Sequence, residues 1–182
     1  MAVCTTNADP PVAPAEDTAA GGTSSGGVIA YADGGYYKGD MRDGKRDGDG
    51  VYLYPDYGIY TGQWKDGRKE GNGTYQWPDG SIYRGEWRNG SMHGAGILVF
   101  ADGGIFRGTW VDGSARDEPS PRGASSVDAQ RDVDDREALC EMTRTVSEAR
   151  KAIAQHVTGY EETQGAAGTE PVITRAIELP CR

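Results

Sequence analysis

A 23-residue period runs without insertion or deletion from about Gly26 to Ser114. It restricts the chain to folds in which one small unit stacks on copies of itself. Stepping by that interval aligns Tyr31, Tyr54, Trp77 and Phe100, then Asp33, Asp56, Asp79 and Asp102. It also aligns Tyr37, Tyr60, Tyr83 and Phe106, then Gly39, Gly62, Gly85 and Gly108, then Met41, Trp64, Trp87 and Trp110.

Within one unit Tyr60, Gly62 and Trp64 alternate with Thr61, Gln63 and Lys65, the two-residue period of a half-buried strand. Gly73, Tyr75 and Trp77 give a second strand of the same kind. Asp43-Gly44, Asp66-Gly67, Asn89-Gly90 and Asp112-Gly113 fall between the strands as hairpin turns, because both residue types tolerate positive φ. The expectation is about eight antiparallel strands over 26–114. The strand glycines leave space into which aromatic rings can lie, tiling one face of the sheet.

The pattern Tyr-x-Gly-x-Trp-x-x-Gly-x-x-x-Gly-x-Gly, at Tyr60 to Gly73 and again at Tyr83 to Gly96, resembles the MORN repeat, the membrane occupation and recognition nexus. Met41 stands where the pattern has Trp, and only His93 keeps the His that precedes Gly. The resemblance implies a mainly β fold, an elongated single-layer antiparallel sheet, followed here by one C-terminal amphipathic helix.

Outside the array the character changes. Residues 1–25 are Ala, Pro, Thr, Ser and Gly without pattern and are expected to be disordered; 115–134 is a polar linker. Leu139, Met142, Val146, Ala149 and Ile153 then follow the three-and-four spacing of one helical face, which places a helix over 135–158 and a tail over 159–182. Such a stripe is too short to be stable alone and must pack on something. The aromatic face of the sheet is its expected seat. Three arrangements compete: the helix caps its own sheet, caps that of a second copy in a homodimer, or pairs with a partner's helix.

Chemistry has little to work with. The two histidines, His93 and His156, lie in unrelated segments, and no nucleophile elbow or phosphate loop is present. Asp43, Asp47 and Asp49 do not fit a calcium loop, since Lys45 and Tyr54 fall at ligand positions. The reading is no enzyme, no cofactor and no metal. A net charge of −9, with 10 basic against 12 acidic residues in 26–114, gives no face for nucleic acid. Cys4, Cys140 and Cys181 are far apart and read as reduced thiols, and the N-terminus has no signal pattern, which together suggest a cytoplasmic protein.

The expected function is a non-catalytic protein-interaction scaffold. A single-layer sheet exposes one aromatic face, and an apolar surface of that extent marks a binding site. Tyr37, Tyr60, Trp64, Tyr83, Trp87, Phe106 and Trp110 are the candidate partner-binding or core residues. The resemblance implies an amphipathic helix of a cytoskeletal, axonemal or motor protein as partner, hence a cytoskeletal or ciliary location. Two alternatives stand beside it. Lys45-Arg46 and Arg68-Lys69 could give weak binding to anionic phospholipids, and the array could regulate an enzyme on another chain.

Overall fold

A computed structural model describes residues 27–116 and 126–155, and their side chains except at 126–136. The tails expected at 1–25 and 159–182, His156 and residues 117–125 of the linker lie outside the described residues.

Nine strands form one antiparallel sheet in strict chain order. They are β1 (Val28–Ala30), β2 (Tyr36–Arg42), β3 (Lys45–Leu53), β4 (Ile59–Lys65), β5 (Arg68–Gln76), β6 (Ile82–Arg88), β7 (Ser91–Val99), β8 (Ile105–Val111) and β9 (Ser114–Ala115). The two-residue β9 brings the expected count of eight to nine. Helix α1 (Ser126–Ala154) follows.

Local chemistry accounts for this regularity. At each hairpin tip the first turn residue has positive φ, +50° at Asp43, +46° at Asp66, +50° at Asn89 and +47° at Asp112, and the glycine after it does too. Two consecutive positive φ values match the twist of the flanking strands. At the opposite ends an aspartate closes each loop on itself. Asp33, Asp56, Asp79 and Asp102 accept the backbone N–H two residues on, at 2.8, 3.0, 2.8 and 2.9 Å.

Each unit is also tied to the next at its tips. The carbonyls of Arg46, Lys69 and Met92 accept the N–H groups of Gly67, Gly90 and Gly113, all at 2.9 Å. Beside these bonds, Asp47 accepts from the Asp66 N–H at 3.4 Å and Glu70 from the Asn89 N–H at 2.9 Å. The aspartate and glutamate that follow the basic pairs are therefore couplers between repeats.

The helix starts at Ser126, nine residues before the expected 135, and ends at Ala154. Neither Gly nor Pro interrupts Ser126 to Asp134, and Asp128 falls in the first turn, where the helix dipole favours negative charge. Its apolar stripe packs on the sheet of the same chain, one of the three arrangements weighed, but on the other face from the one expected. Leu53, Ile59, Ile82 and Val99 form its seat, with Tyr36 packed beside them, and the buried aromatic rings of the opposite face take no part in it.

Candidate interaction surfaces

On the aromatic face the tyrosines lie down along the sheet. A Cβ built at Gly50 would strike the ring of Tyr37, one at Gly73 the ring of Tyr60, and one at Gly96 the ring of Tyr83. Each hydroxyl donates to a carbonyl three residues further along its own strand: Tyr37 to Asp40 at 2.8 Å, Tyr60 to Gln63 at 2.9 Å, Tyr83 to Glu86 at 3.1 Å. The tryptophans stand edge-on between them. Trp64 meets Tyr37 and Tyr60 at 85° and 84°, and Trp87 meets Tyr60 and Tyr83 at 85° and 87°. The indole N–H groups of Trp64 and Trp87 donate to the carbonyls of Gly50 and Gly73.

The sequence reading named the seven aromatics as partner-binding or core residues, and burial places them in the core. Tyr37, Tyr60 and Tyr83 have no exposure at all, and Trp64, Trp87, Trp110 and Phe106 reach at most 7%. All seven are core. The premise that a single-layer sheet cannot cover its own apolar face fails because rings lying over glycine rows, with indoles between them, cover one another. The exception is Met41, which holds the tryptophan position of the first unit and is 37% exposed.

The basic pairs are split between the faces. Lys45 and Arg68 are exposed, whereas Arg46 and Lys69 are 0% and 1% exposed. Arg46 sits among the rings of Tyr31, Tyr37, Tyr52 and Trp64, nearest Trp64 at 4.5 Å, and donates to the carbonyl of Gly67 at 3.0 Å. Lys69 occupies the equivalent box of Tyr54, Tyr60, Tyr75 and Trp87, again 4.5 Å from the indole. The rings supply a negative π face to each cation. In the third unit Met92 fills this position. Two of the four charges on which phospholipid binding rested are thus inside the protein.

The same burial acts on the phenols. It pushes Tyr54, Tyr60, Tyr75 and Tyr83 well above the ordinary tyrosine range, and Tyr52 too, where a 2.9 Å bond to Asp33 adds to it.

The other face carries α1. Met142, Val146, Ala149 and Ile153 are buried on the sheet and Leu139 is half-buried, so all five residues of the expected stripe meet the protein itself. Polar contacts fix the helix in place. Arg150 donates to the carbonyl of Tyr57 and to Gln76 Oε1, both at 2.9 Å, and Lys38 Nζ lies 3.4 Å from the carbonyl of Ala152. Arg84 pairs with Glu141 at 2.7 Å, holding that carboxyl below the usual range; with both groups about half exposed this sets register more than it stabilises. Between α1 and the middle of the sheet runs an open groove of 660 Å³.

The seat was missed from sequence, yet it had a signal. Ile59, Ile82 and Ile105 recur at the same interval, each just before a strand aromatic.

The remaining sequence candidates fall as follows. His93 Nδ1 lies 3.7 Å from Asp112 Oδ1 at a hairpin tip. Asp43 forms a turn, and Asp47 binds Lys65 at 3.1 Å, a bond that holds its carboxyl below the usual range. Cys140 is disulfide-bonded and is therefore not a reduced thiol. No described helix is long and apolar enough to cross a membrane.

A comparison with curated proteins found no match. The family model of the MORN repeat matches residues 37–59, 60–82 and 83–105, in the register found from the period. MORN repeats form a non-catalytic repeat family with protein-binding and membrane-binding roles. With three consecutive matches and a sheet whose strands follow them unit by unit, residues 37–105 of the chain are an array of MORN repeats.

Proposed function

We propose that this protein is a non-catalytic interaction scaffold whose partner is an amphipathic helix, of the kind found in cytoskeletal, axonemal or motor proteins. The observation that carries this reading is α1 itself. One face of the sheet already holds an amphipathic helix, with four side chains of its stripe buried and polar contacts at Arg150, Lys38 and Arg84. With the aromatic rings buried, the aliphatic face takes over the partner role first given to them. A phospholipid partner is less well supported, because Arg46 and Lys69 are enclosed.

Affinity capture on the full chain, followed by cross-linking mass spectrometry, tests this. The expected result is a protein whose helical segment cross-links to Lys38, the lysine beside the C-terminal end of α1. An enzyme captured in that way would make the scaffold its regulatory partner. Anionic-vesicle binding without any protein partner would overturn the reading.

A further inference from the structure

An open groove borders the seat of α1 on the same face of the sheet. The groove of 660 Å³ is lined on the sheet side by Thr61, Thr74, Arg84 and Ile97 together with glycine backbone, and on the helix side by Thr145. The hydroxyl of Thr145 turns back onto the carbonyl of Glu141, four residues earlier, at 2.8 Å. Only a methyl group remains for the groove. The helix is narrow elsewhere too, since Ala149 is one of the four buried residues of its stripe. A contact short of apolar volume is weaker than the same contact filled, because each added buried methylene removes more surface from water.

We propose that α1 is a displaceable occupant of a helix-docking site on the aliphatic face, and that the helix this site prefers carries a large aliphatic residue where α1 has Thr145. The remaining features of that helix follow from the contacts of α1. It has apolar residues in the spacing of Met142, Val146, Ala149 and Ile153, an arginine at the position of Arg150 to reach Tyr57 and Gln76, and an acid at the position of Glu141 to meet Arg84. In the isolated chain α1 excludes weaker helices because it is tethered at high effective concentration. A better-filling helix releases it. This inference rests on the scaffold reading, and it is tested without any natural partner.

The probes are two labelled synthetic peptides spanning 137–155, both with Cys140→Ser, one otherwise native and one also carrying Thr145→Leu. Fluorescence anisotropy measures their binding to the full chain, and hydrogen exchange follows the α1 amides from Val146 to Ile153. The native-sequence peptide is expected to bind weakly. The Thr145→Leu peptide is expected to bind roughly tenfold tighter and to raise α1 exchange. A full chain carrying Thr145→Leu in its own helix is expected to bind either peptide roughly tenfold more weakly than the native chain, since its seat is better occupied. Equal affinity for the two peptides, no binding of either, or binding that leaves α1 exchange unchanged overturns the proposal. Should the substituted chain fail to fold, the two peptides on the native chain still decide the matter. If the peptides behave as expected and no natural helix is ever captured, the docking site stands and the scaffold function falls.

Discussion

The hydroxyl of Tyr60 donates to the carbonyl of Gln63 at 2.9 Å, so the ring is laid flat along its own strand and passes over Gly73 of the neighbouring one. One bond thereby fixes a rotamer and also dictates that the residue across the sheet has no side chain. Tyr37 and Tyr83 repeat the relationship with Gly50 and Gly96.

Filling that space is therefore costly. Gly73→Val and Gly96→Val are each expected to destabilise the array by about 1–3 kcal/mol, since the ring above must leave its place. Tyr60→Phe keeps the ring and loses only the bond, so about 1 kcal/mol is expected. Calorimetric melting of the three variants checks the order. Equal melting temperatures for Gly73→Val and the native chain would sink the tiling account.

The buried cations give a second contrast. Lys69→Met imitates the third unit, where Met92 holds the same position, and is expected to change stability by less than about 1.5 kcal/mol. Lys69→Glu places an anion against the negative faces of four rings and is expected to cost more than about 3 kcal/mol. Lys45→Ala and Arg68→Ala, on exposed side chains, should stay within about 0.5 kcal/mol. Urea denaturation of the four proteins separates these outcomes.

Alkaline unfolding should be cooperative. Five phenols, Tyr52, Tyr54, Tyr60, Tyr75 and Tyr83, are held protonated by burial well above the usual range. Tyrosines of the unfolded chain ionise near pH 10. Above that value the unfolded state has released protons that the folded state keeps, so stability falls as pH rises, by up to about 1.4 kcal/mol per pH unit for each such tyrosine. Tyrosinate absorbance should remain low past pH 10 and then rise together with loss of the sheet signal in circular dichroism. A gradual rise centred near pH 10 with the fold intact would contradict the burial of these groups.

Arg150→Ala removes the bonds that α1 makes to the Tyr57 carbonyl, in the loop between β3 and β4, and to Gln76 at the end of β5. A loss of about 1.5–3 kcal/mol is expected, the range for hydrogen bonds to a charged group. The loss should be local. Amides of Tyr54 and Tyr57, which bond within that loop, should exchange faster, while those of β6 and β7 remain protected. Uniform change across the sheet would show that Arg150 supports the whole fold and not the helix seat.

Much of this was legible in the chain. Strand alternation, the Asp-Gly turns and the spaces under the rings follow from residue type and a fixed interval, and the helical stripe named the residues that pack. The face on which it packs was not legible by weight of hydrophobicity. The aromatics outweigh Ile59, Ile82 and Ile105, but their rotamers turn that weight inward, and rotamers are a property of three dimensions. Burial of Arg46 could have been read from parity. It shares a strand face with Gly50 and Tyr52, whereas Lys45 belongs to the opposite one. A charged residue beside another charged residue looks like surface until the alternation is applied to both.

The ties at the hairpin tips, from Arg46, Lys69 and Met92 to the glycines of the next turn, also give the array a mechanical character. Tension applied to its two ends is expected to peel the units that α1 does not span first, because those junctions are held only by their own tip bonds and rings. Every unit that lets go releases 23 residues of slack, about 80 Å of extended chain. Stepwise lengthening in single-molecule stretching is the expected outcome, and a single all-or-none rupture would contradict it.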